Sequence, residues 1–226
     1  MKKLLFVHGA GGSANKWRYV EQYLGDAPSA VIDLPGHGAS SSAVPPSIEQ
    51  YADRLNEAIQ EDVIIVGHSM GGLIGMELAA RNEQVKGLVL ACSHYRLPVN
   101  EKFLRLLADG EYPDKFFYAA FGGSAVPGLL KQEKEEHDAV PIETALADFT
   151  SCSEYKKGKD IISTLRIPIL AVYGAEDRMI PPDSEKKLLD ASPKAETVTI
   201  DGAGHYAILE APQVFTETVL QFARSC

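Results

Sequence analysis

The sequence has few cysteines, and this limits the kinds of protein that it can encode. Its three cysteines, Cys92, Cys152 and Cys226, form an odd and sparse set. Such a set does not make a disulfide framework, and no spacing among them is typical of a zinc site. A reducing compartment fits this usage best, so we expect a cytoplasmic protein.

Positive charge and long apolar runs are also scarce. The formal net charge is −9, whereas nucleic acids and anionic membranes bind basic surfaces, so we expect neither as a partner. No run reaches the roughly 18 consecutive apolar residues of a transmembrane helix. The apolar run at residues 4–7 is too short for a signal peptide. The sequence does not distinguish a monomer from a dimer.

Short apolar runs alternate with helical patterns along the 226 residues, a length that suits one domain with a sizeable core. Nearly continuous apolar runs are typical of parallel strands that are covered on both faces. The alternation therefore predicts an α/β fold with a mostly parallel central sheet between two layers of helices. The predicted strands are residues 4–7, 30–33, 63–66, 88–91, 169–173 and 197–200. The predicted helices are residues 48–60, 72–81, 184–189 and 212–223, the first with a capping box from Ser47 and Gln50.

The alternation stops between residues 95 and 165, where no convincing strand occurs. We predict a core domain from residues 1–94 and 166–226, with residues 95–165 as a small helical cap. Helices are expected at residues 101–108 and 114–121, followed by a charged run at 131–138 that is typical of a solvated helix face. The insertion follows a strand end, which is the edge of an α/β sheet where ligands bind. Four of its rings are candidates for a substrate pocket or for simple packing: Phe103, Phe116, Phe117 and Phe121.

Residues 67–71 read Gly-His-Ser-Met-Gly and lie between a predicted strand and a predicted helix. A serine on such a sharp turn exposes its hydroxyl, and glycines on both sides of it remove side chains that would collide. The dipole of the following helix favours negative charge at this point. The pattern predicts that Ser69 is a nucleophile, whereas a bare five-residue match would also fit a tight turn with a bystander serine.

A serine nucleophile needs a base and an acid that orients it, and the sequence places both after predicted strands. His205 follows the strand at 197–200, and Asp177 follows the strand at 169–173. The chain order Ser69, Asp177, His205 is the nucleophile, acid and base order of α/β hydrolases. Glu176 and Asp201 are the rival acids, and aspartate at 177 is the preferred assignment.

A glycine-rich loop, His8-Gly9-Ala10-Gly11-Gly12, follows the first predicted strand. Backbone N–H groups in such a loop can stabilise an oxyanion. We expect the N–H groups of Ala10 and Met70 to form the oxyanion hole, with Gly11 as the alternative to Ala10. The loop lacks the lysine and hydroxyl residue of a phosphate-binding P-loop. No histidine has partners at a metal-binding spacing, so no metal site is predicted.

These motifs together resemble the α/β-hydrolase fold family, in its lidded serine esterase branch. The resemblance also includes residues 33–40, Asp-Leu-Pro-Gly-His-Gly-Ala-Ser, and it covers nearly the whole chain outside the insertion. It implies that the insertion corresponds to the cap of that branch. Its epoxide and dehalogenase relatives carry aspartate at the elbow, so Ser69 argues against those two reactions.

We therefore expect a carboxylesterase-type hydrolase that acts on a small-molecule ester with a small to medium acyl group, through an acyl-enzyme and without a cofactor. The same triad would also serve a thioesterase, a lactonase, a C–C hydrolase or a lyase. A slow-turnover ligand receptor on this fold is the alternative of another class. Fold and triad fix the chemistry and leave the physiological substrate open.

Overall fold

Six short runs of mainly apolar residues form one parallel β-sheet in the computed structural model, which describes residues 1–226. The strands are β1 (Lys3–Val7), β2 (Ser29–Ile32), β3 (Val63–His68), β4 (Val85–Ala91), β5 (Ile169–Gly174) and β6 (Glu196–Ile200). Their order across the sheet is β2-β1-β3-β4-β5-β6, and each neighbouring pair is parallel. All six predicted strands are confirmed, with ends that differ by at most three residues from the predicted ones.

Eleven α-helices and one short 3₁₀ helix, Ala14–Trp17, connect and cover the strands. The helices of the main layers are α1 (Arg18–Glu21), α2 (Ile48–Asn56), α3 (Met70–Arg81), α9 (Ser184–Ala191), α10 (Ala207–Glu210) and α11 (Pro212–Ser225). Those of the insertion are α4 (Glu101–Ala108), α5 (Asp114–Ala119), α6 (Pro127–Asp138), α7 (Ile142–Glu154) and α8 (Gly158–Thr164). No helix is both long enough and apolar enough to cross a membrane.

The four inner strands, β1, β3, β4 and β5, are buried on both faces, which explains why they are almost continuously apolar, whereas the edge strands β2 and β6 are partly exposed. In β1, Leu5 and Val7 belong to a core with residues of α2, α3 and α9. Leu4 and Phe6 point to the opposite face and pack with residues of α10 and α11. Successive side chains of a strand alternate between faces, so a strand covered on both sides needs an apolar residue at every position.

The start of helix α2 is set by a local capping residue. The Ser47 side chain accepts a hydrogen bond from the Gln50 N–H at 3.3 Å, which satisfies one free donor of the first turn. The helix ends at Asn56 rather than at residue 60 as predicted. After Asn56 the chain continues in tight turns, since Ala58 N–H bonds to the Leu55 carbonyl and Ile59 N–H to that of Asn56.

The insertion between β4 and β5 contains the five helices α4 to α8 and no strand, and α7 and α8 were not among the predicted helices. Its last two helices are also part of the main core. Cys152 and Tyr155 near the end of α7 and Ile162 of α8 are buried with the residues of α2 and α3. The insertion is therefore anchored to the core domain at its C-terminal end.

The carboxyl ends of all six strands lie along one edge of the sheet, because every strand is parallel. The loop that starts at His8 follows β1, and Ser69 follows β3 directly. Asp177 comes three residues after β5, and His205 comes five residues after β6. The sheet thus brings to one edge four segments that the sequence separates by up to about 200 residues.

Candidate active site

Ser69 occupies a strained turn between β3 and α3. Its φ is 50° and its ψ is −117°, and only Cys92 and Asp183 share a positive φ among non-glycine residues. A positive φ is unfavourable for a side chain, and such strain occurs mainly at functional sites. Ser69 is the N-cap residue of α3, but its hydroxyl makes no capping hydrogen bond. The hydroxyl is therefore left for another partner.

Both glycines of the turn are needed, each for a different close approach. A Cβ on Gly67 would lie 2.3 Å from the Gly71 carbonyl oxygen, so a side chain there would collide with the first turn of α3. A Cβ on Gly71 would lie 2.3 Å from the Val7 carbonyl oxygen at the end of β1. The second glycine thus allows α3 to start against β1, a contact that the sequence did not predict.

His205 and Asp177 form a buried pair beside this turn. His205 Nδ1 lies 2.9 Å from Asp177 Oδ2, and the two side chains are 9% and 0% exposed. Burial alone would raise the pKa of Asp177, but the charge and hydrogen bond of His205 and the N–H of Met179 outweigh it and hold this pKa below its usual range. Asp177 is therefore a carboxylate that accepts from Nδ1–H, and Nε2 is the nitrogen left for Ser69.

The rival acids are engaged elsewhere. Glu176 Oε2 accepts the Gly123 N–H of the insertion at 3.0 Å and lies in an exposed position. Asp201 is exposed in the turn after β6. Only Asp177 of these three pairs with His205.

His68, within the serine turn, contacts the His205 backbone. Its Nε2–H donates to the His205 carbonyl oxygen at 2.8 Å, and its ring stacks on Tyr206 at 5.2 Å between centroids. Burial lowers the pKa of His68 to about 3, so the ring is neutral. As predicted, His68 has a hydrogen-bonding and packing environment rather than that of a base.

Two backbone N–H groups beside Ser69 have no acceptor within the protein, those of Ala10 and Met70. Gly9 brings the first loop close to the serine, since a Cβ on Gly9 would lie 3.0 Å from Ser69 Cβ. The N–H of Gly11, the alternative donor, is already bonded to Asp148 Oδ2 at 2.8 Å. Free donors of this kind suit a developing oxyanion.

A cavity of about 370 Å³ opens between this edge of the sheet and the insertion. Ala10, Ser69 and His205 line it from the core domain. Four phenylalanine rings line it from the insertion, of which the first three were predicted: Phe103, Phe116, Phe117 and Phe149. Phe121, the fourth predicted ring, is not part of this lining and instead stacks on Tyr206, with ring centroids 5.0 Å apart.

The insertion also holds the His205 loop directly. The Ala120 carbonyl oxygen accepts the His205 N–H at 2.7 Å. The Glu210 carboxylate accepts the N–H groups of Gly122 and Gly204, at 2.8 and 3.0 Å, and so bridges the insertion and the loop. The sequence analysis did not identify Glu210, since nothing in its local pattern distinguishes it from an ordinary helix-end carboxylate.

No group of three or more histidine, cysteine or acidic side chains is arranged to hold a metal ion. The polar groups around Ser69 are an imidazole, a carboxylate and two backbone N–H donors. This arrangement can remove a proton from a hydroxyl and stabilise negative charge on a neighbouring oxygen.

Comparison with known families gives a match over most of the chain. The model of the alpha/beta hydrolase family matches residues 4–218. Among solved structures, a thermophilic esterase superimposes with a TM-score of 0.86 at 26% sequence identity, covering 100% of this chain and 90% of the esterase. The fold predicted from the motifs is therefore confirmed.

Curated relatives extend this likeness to the sequence level. A pimeloyl-[acyl-carrier protein] methyl ester esterase of Neisseria meningitidis is 26% identical over 250 residues, which cover 98% of this chain and 77% of the relative. The protein of the same name from Vibrio cholerae is 26% identical over 239 residues, covering 97% of this chain and 93% of the relative. The similar proteins named here are esterases.

Proposed function

This chain belongs to the alpha/beta hydrolase family, and we propose that it hydrolyses carboxylic esters with Ser69 as nucleophile, His205 as base and Asp177 as the acid that orients the base. The relatives named as esterases support ester hydrolysis as its reaction. One observation carries the residue assignment. Ser69 and His205 line the same cavity, and His205 Nδ1 is hydrogen-bonded to Asp177 Oδ2 at 2.9 Å.

In the proposed acylation step, His205 Nε2 takes the Ser69 proton while Ser69 Oγ forms a bond to the ester carbonyl carbon. The carbonyl oxygen becomes an oxyanion, which the Ala10 and Met70 N–H groups stabilise by hydrogen bonds. The bond to the alcohol oxygen then breaks, and His205 returns the proton to that oxygen. Asp177 holds the imidazole in the required tautomer and stabilises its charged form.

Deacylation repeats these steps with water. His205 takes a proton from the water as its oxygen attacks the acyl carbon, and the second oxyanion occupies the same two N–H groups. Ser69 leaves with the proton from His205, and the carboxylic acid is released. Besides the ester, the reaction consumes only water, and His205 carries the proton in both steps.

The cavity favours a small to medium acyl group. Its volume of about 370 Å³ lies near the lower end of the roughly 300–1,000 Å³ that is common for small-molecule sites. Thirteen of its twenty lining residues are hydrophobic, which suits an aliphatic chain. Because the relatives are named for a methyl ester on an acyl chain, methyl esters of medium-chain acids belong in the substrate panel.

The test is covalent labelling combined with a substrate panel. A fluorophosphonate should modify Ser69 and abolish hydrolysis of p-nitrophenyl butyrate in parallel, and S69A should lose both labelling and turnover. S163A, on the exposed side of α8, is the matched control and should retain both. Labelling at another serine, or full activity of S69A, would contradict the assignment.

The panel separates the other reactions that this triad could perform. Acyl-thioesters, lactones, methyl esters and a C–C cleavage substrate should be compared by kcat/KM with p-nitrophenyl esters. We expect oxygen esters to be turned over many times and to give the highest kcat/KM of the panel. A single slow event per Ser69 on every compound would instead indicate a receptor.

A further inference from the structure

Asp148, in the middle of α7, is a fully buried carboxylate with three hydrogen-bond donors. Its side chain is 0% exposed. Oδ2 accepts the Gly11 N–H and the His37 Nε2–H, each at 2.8 Å, and Oδ1 accepts the Tyr51 hydroxyl at 2.7 Å. A buried charge is stable only when such partners surround it. This carboxylate therefore joins the insertion to three separate segments of the core domain.

The contact with Gly11 fixes the loop that carries the proposed oxyanion donor. Gly12 N–H bonds to the Gly9 carbonyl at 3.1 Å, which closes a tight turn with Ala10 and Gly11 at its centre. Gly11 has a φ of 59°, a value that glycine adopts without strain. Of the two central N–H groups, Asp148 takes that of Gly11, while that of Ala10 stays free beside Ser69.

His37 strengthens this arrangement. Its Nδ1 lies 3.0 Å from the Pro35 carbonyl and its Nε2 2.8 Å from Asp148 Oδ2. Both ring nitrogens thus face acceptors, an environment that suits the doubly protonated, charged ring. A charged imidazole forms a charge-assisted hydrogen bond with the Asp148 carboxylate, and such bonds are roughly twice as strong as neutral ones.

The same helix also forms a wall of the cavity. Phe149, next to Asp148, and Cys152, one turn further along, both line it. Helix α7 is thus in contact with the space for the substrate and, through Asp148, with the oxyanion loop.

We propose that Asp148 is a positioning residue of the oxyanion hole, which it builds by clamping Gly11 so that the Ala10 N–H faces the carbonyl oxygen on Ser69. This inference rests on the proposed ester hydrolysis. It adds that the insertion contributes to the chemical step and not only to the shape of the cavity. The oxyanion donor stabilises the transition state more than the bound substrate. Displacing it therefore lowers kcat more than it changes KM.

The test compares D148N and D148A with Y51F. Asparagine keeps an oxygen but removes the charge, alanine removes every acceptor, and Y51F deletes one hydrogen bond to Asp148 while leaving the Gly11 contact intact. On p-nitrophenyl acetate we expect kcat to fall about 10²-fold in D148A and less in D148N, with KM changed by less than about 3-fold. Y51F should keep kcat within about 2-fold of the parent, although it too loses stability.

A tetrahedral-adduct inhibitor gives a readout that a purely structural role would not move. The affinity of a trifluoromethyl ketone, whose adduct places an oxyanion beside Ser69, should fall by the same factor as kcat. Binding of the product carboxylic acid should change much less. Thermal unfolding of each variant shows whether D148N and Y51F lose similar stability, so that a difference in kcat between them can be assigned to the Gly11 contact.

Backbone NMR makes the outcome independent of turnover. The amide signals of Ala10 and Gly11 should move in D148N and stay near their parent positions in Y51F. A parent protein that neither hydrolyses esters nor reacts with a fluorophosphonate would refute the proposed function, while the amide shifts would still report on the clamp. Folded D148N with parental amide shifts, kcat and ketone affinity would overturn the inference, even if D148A does not fold.

Discussion

At the residue scale, neighbouring carboxylates after β5 have different partners. The Asp177 side chain is fully buried and accepts from His205 Nδ1–H and from the Met179 N–H, at 2.9 and 2.8 Å. Glu176 is exposed and bonds to Gly123 of the insertion. Since the two side chains are adjacent in sequence, the turn that directs Asp177 towards His205 directs Glu176 away from it. The position of each residue within the turn, and not the carboxylate group itself, determines which of the two contacts His205.

Replacing Asp177 by asparagine tests this distinction. Asparagine can present its N–H₂ to Nδ1 and so favour the wrong imidazole tautomer, which in comparable triads lowers kcat by roughly 10⁴. We expect D177N to lose activity on that scale with its circular dichroism spectrum unchanged, whereas E176Q should stay within about 3-fold of the parent. Steady-state kinetics on p-nitrophenyl butyrate decides between them. A larger loss in E176Q, or in D201N, would show that the acid was misassigned.

At the element scale, the aromatic rings of the insertion lie in two different environments. Phe116 and Phe149 line the cavity, while Phe121 is 8% exposed and packs on Tyr206 and Phe117. The sequence grouped Phe121 with the pocket rings because all four lie in one aromatic-rich stretch. Only the three-dimensional arrangement separates a ring that limits the substrate from one that supports the His205 loop.

Alanine at these two kinds of position should have different consequences. F116A enlarges the cavity, so we expect the maximum of kcat/KM along a p-nitrophenyl acetate-to-decanoate series to move to a longer chain, with about 0.8 kcal/mol gained per further methylene buried. F121A should leave the maximum in place and lower the free energy of unfolding by roughly 3–5 kcal/mol, the usual loss for a buried phenylalanine. An identical profile in F116A and the parent would remove Phe116 from the proposed pocket.

The predicted elements and the missed ones differ in the kind of side chain that they bury. The strands and α3 bury large apolar side chains, so their pattern was readable. Helix α7 was missed because its inward positions are small or polar. They follow a helical spacing and are Thr144, Ala145, Asp148, Ser151 and Cys152.

For the same reason the serine turn was predictable and the Asp148 contacts were not. The turn is a local motif of five residues. Asp148 meets Gly11 and His37 across 137 and 111 residues of chain, and no local rule connects them. The sequence likewise offered both Ala10 and Gly11 as oxyanion donors, and only the hydrogen bond of Gly11 to Asp148 left Ala10 as the free one.

At the scale of the whole molecule, four buried histidines respond to pH in opposite directions. Burial lowers the pKa of His8 to about 4, of His68 to about 3 and of His94 to about 4. Burial also disfavours charge on His37, but the hydrogen bond and charge of Asp148 outweigh it and raise the pKa of His37 above its ordinary value of 6.5. Histidines in the unfolded chain titrate near 6.5.

These directions predict that stability falls most steeply as the pH drops below 6.5. Below this pH the unfolded chain binds protons at three positions that stay neutral in the fold, so each of His8, His68 and His94 lowers the free energy of unfolding by up to ~1.4 kcal/mol per pH unit. For His37 the sign is reversed. Its contribution is fully present below pH 6.5 and is lost as the pH rises through its raised pKa. Asp177, with its lowered pKa, adds no change in this range, because its contribution is lost only as the pH falls through that low value.

Urea unfolding at pH 5.0, 6.5 and 8.5 measures this balance. We expect the free energy of unfolding to fall steeply from pH 6.5 to pH 5.0, because three groups act on the acid side, whereas the stability that His37 contributes is lost between pH 6.5 and pH 8.5. H37N removes the group that acts on the alkaline side, so the difference in free energy of unfolding between the parent and H37N should be larger at pH 6.5 than at pH 8.5. A difference that stays constant from pH 6.5 to pH 8.5 would show that the His37–Asp148 pair is not charged in the folded protein. The clamp on Gly11 would then rest on weaker hydrogen bonds, and its effect on kcat should shrink accordingly.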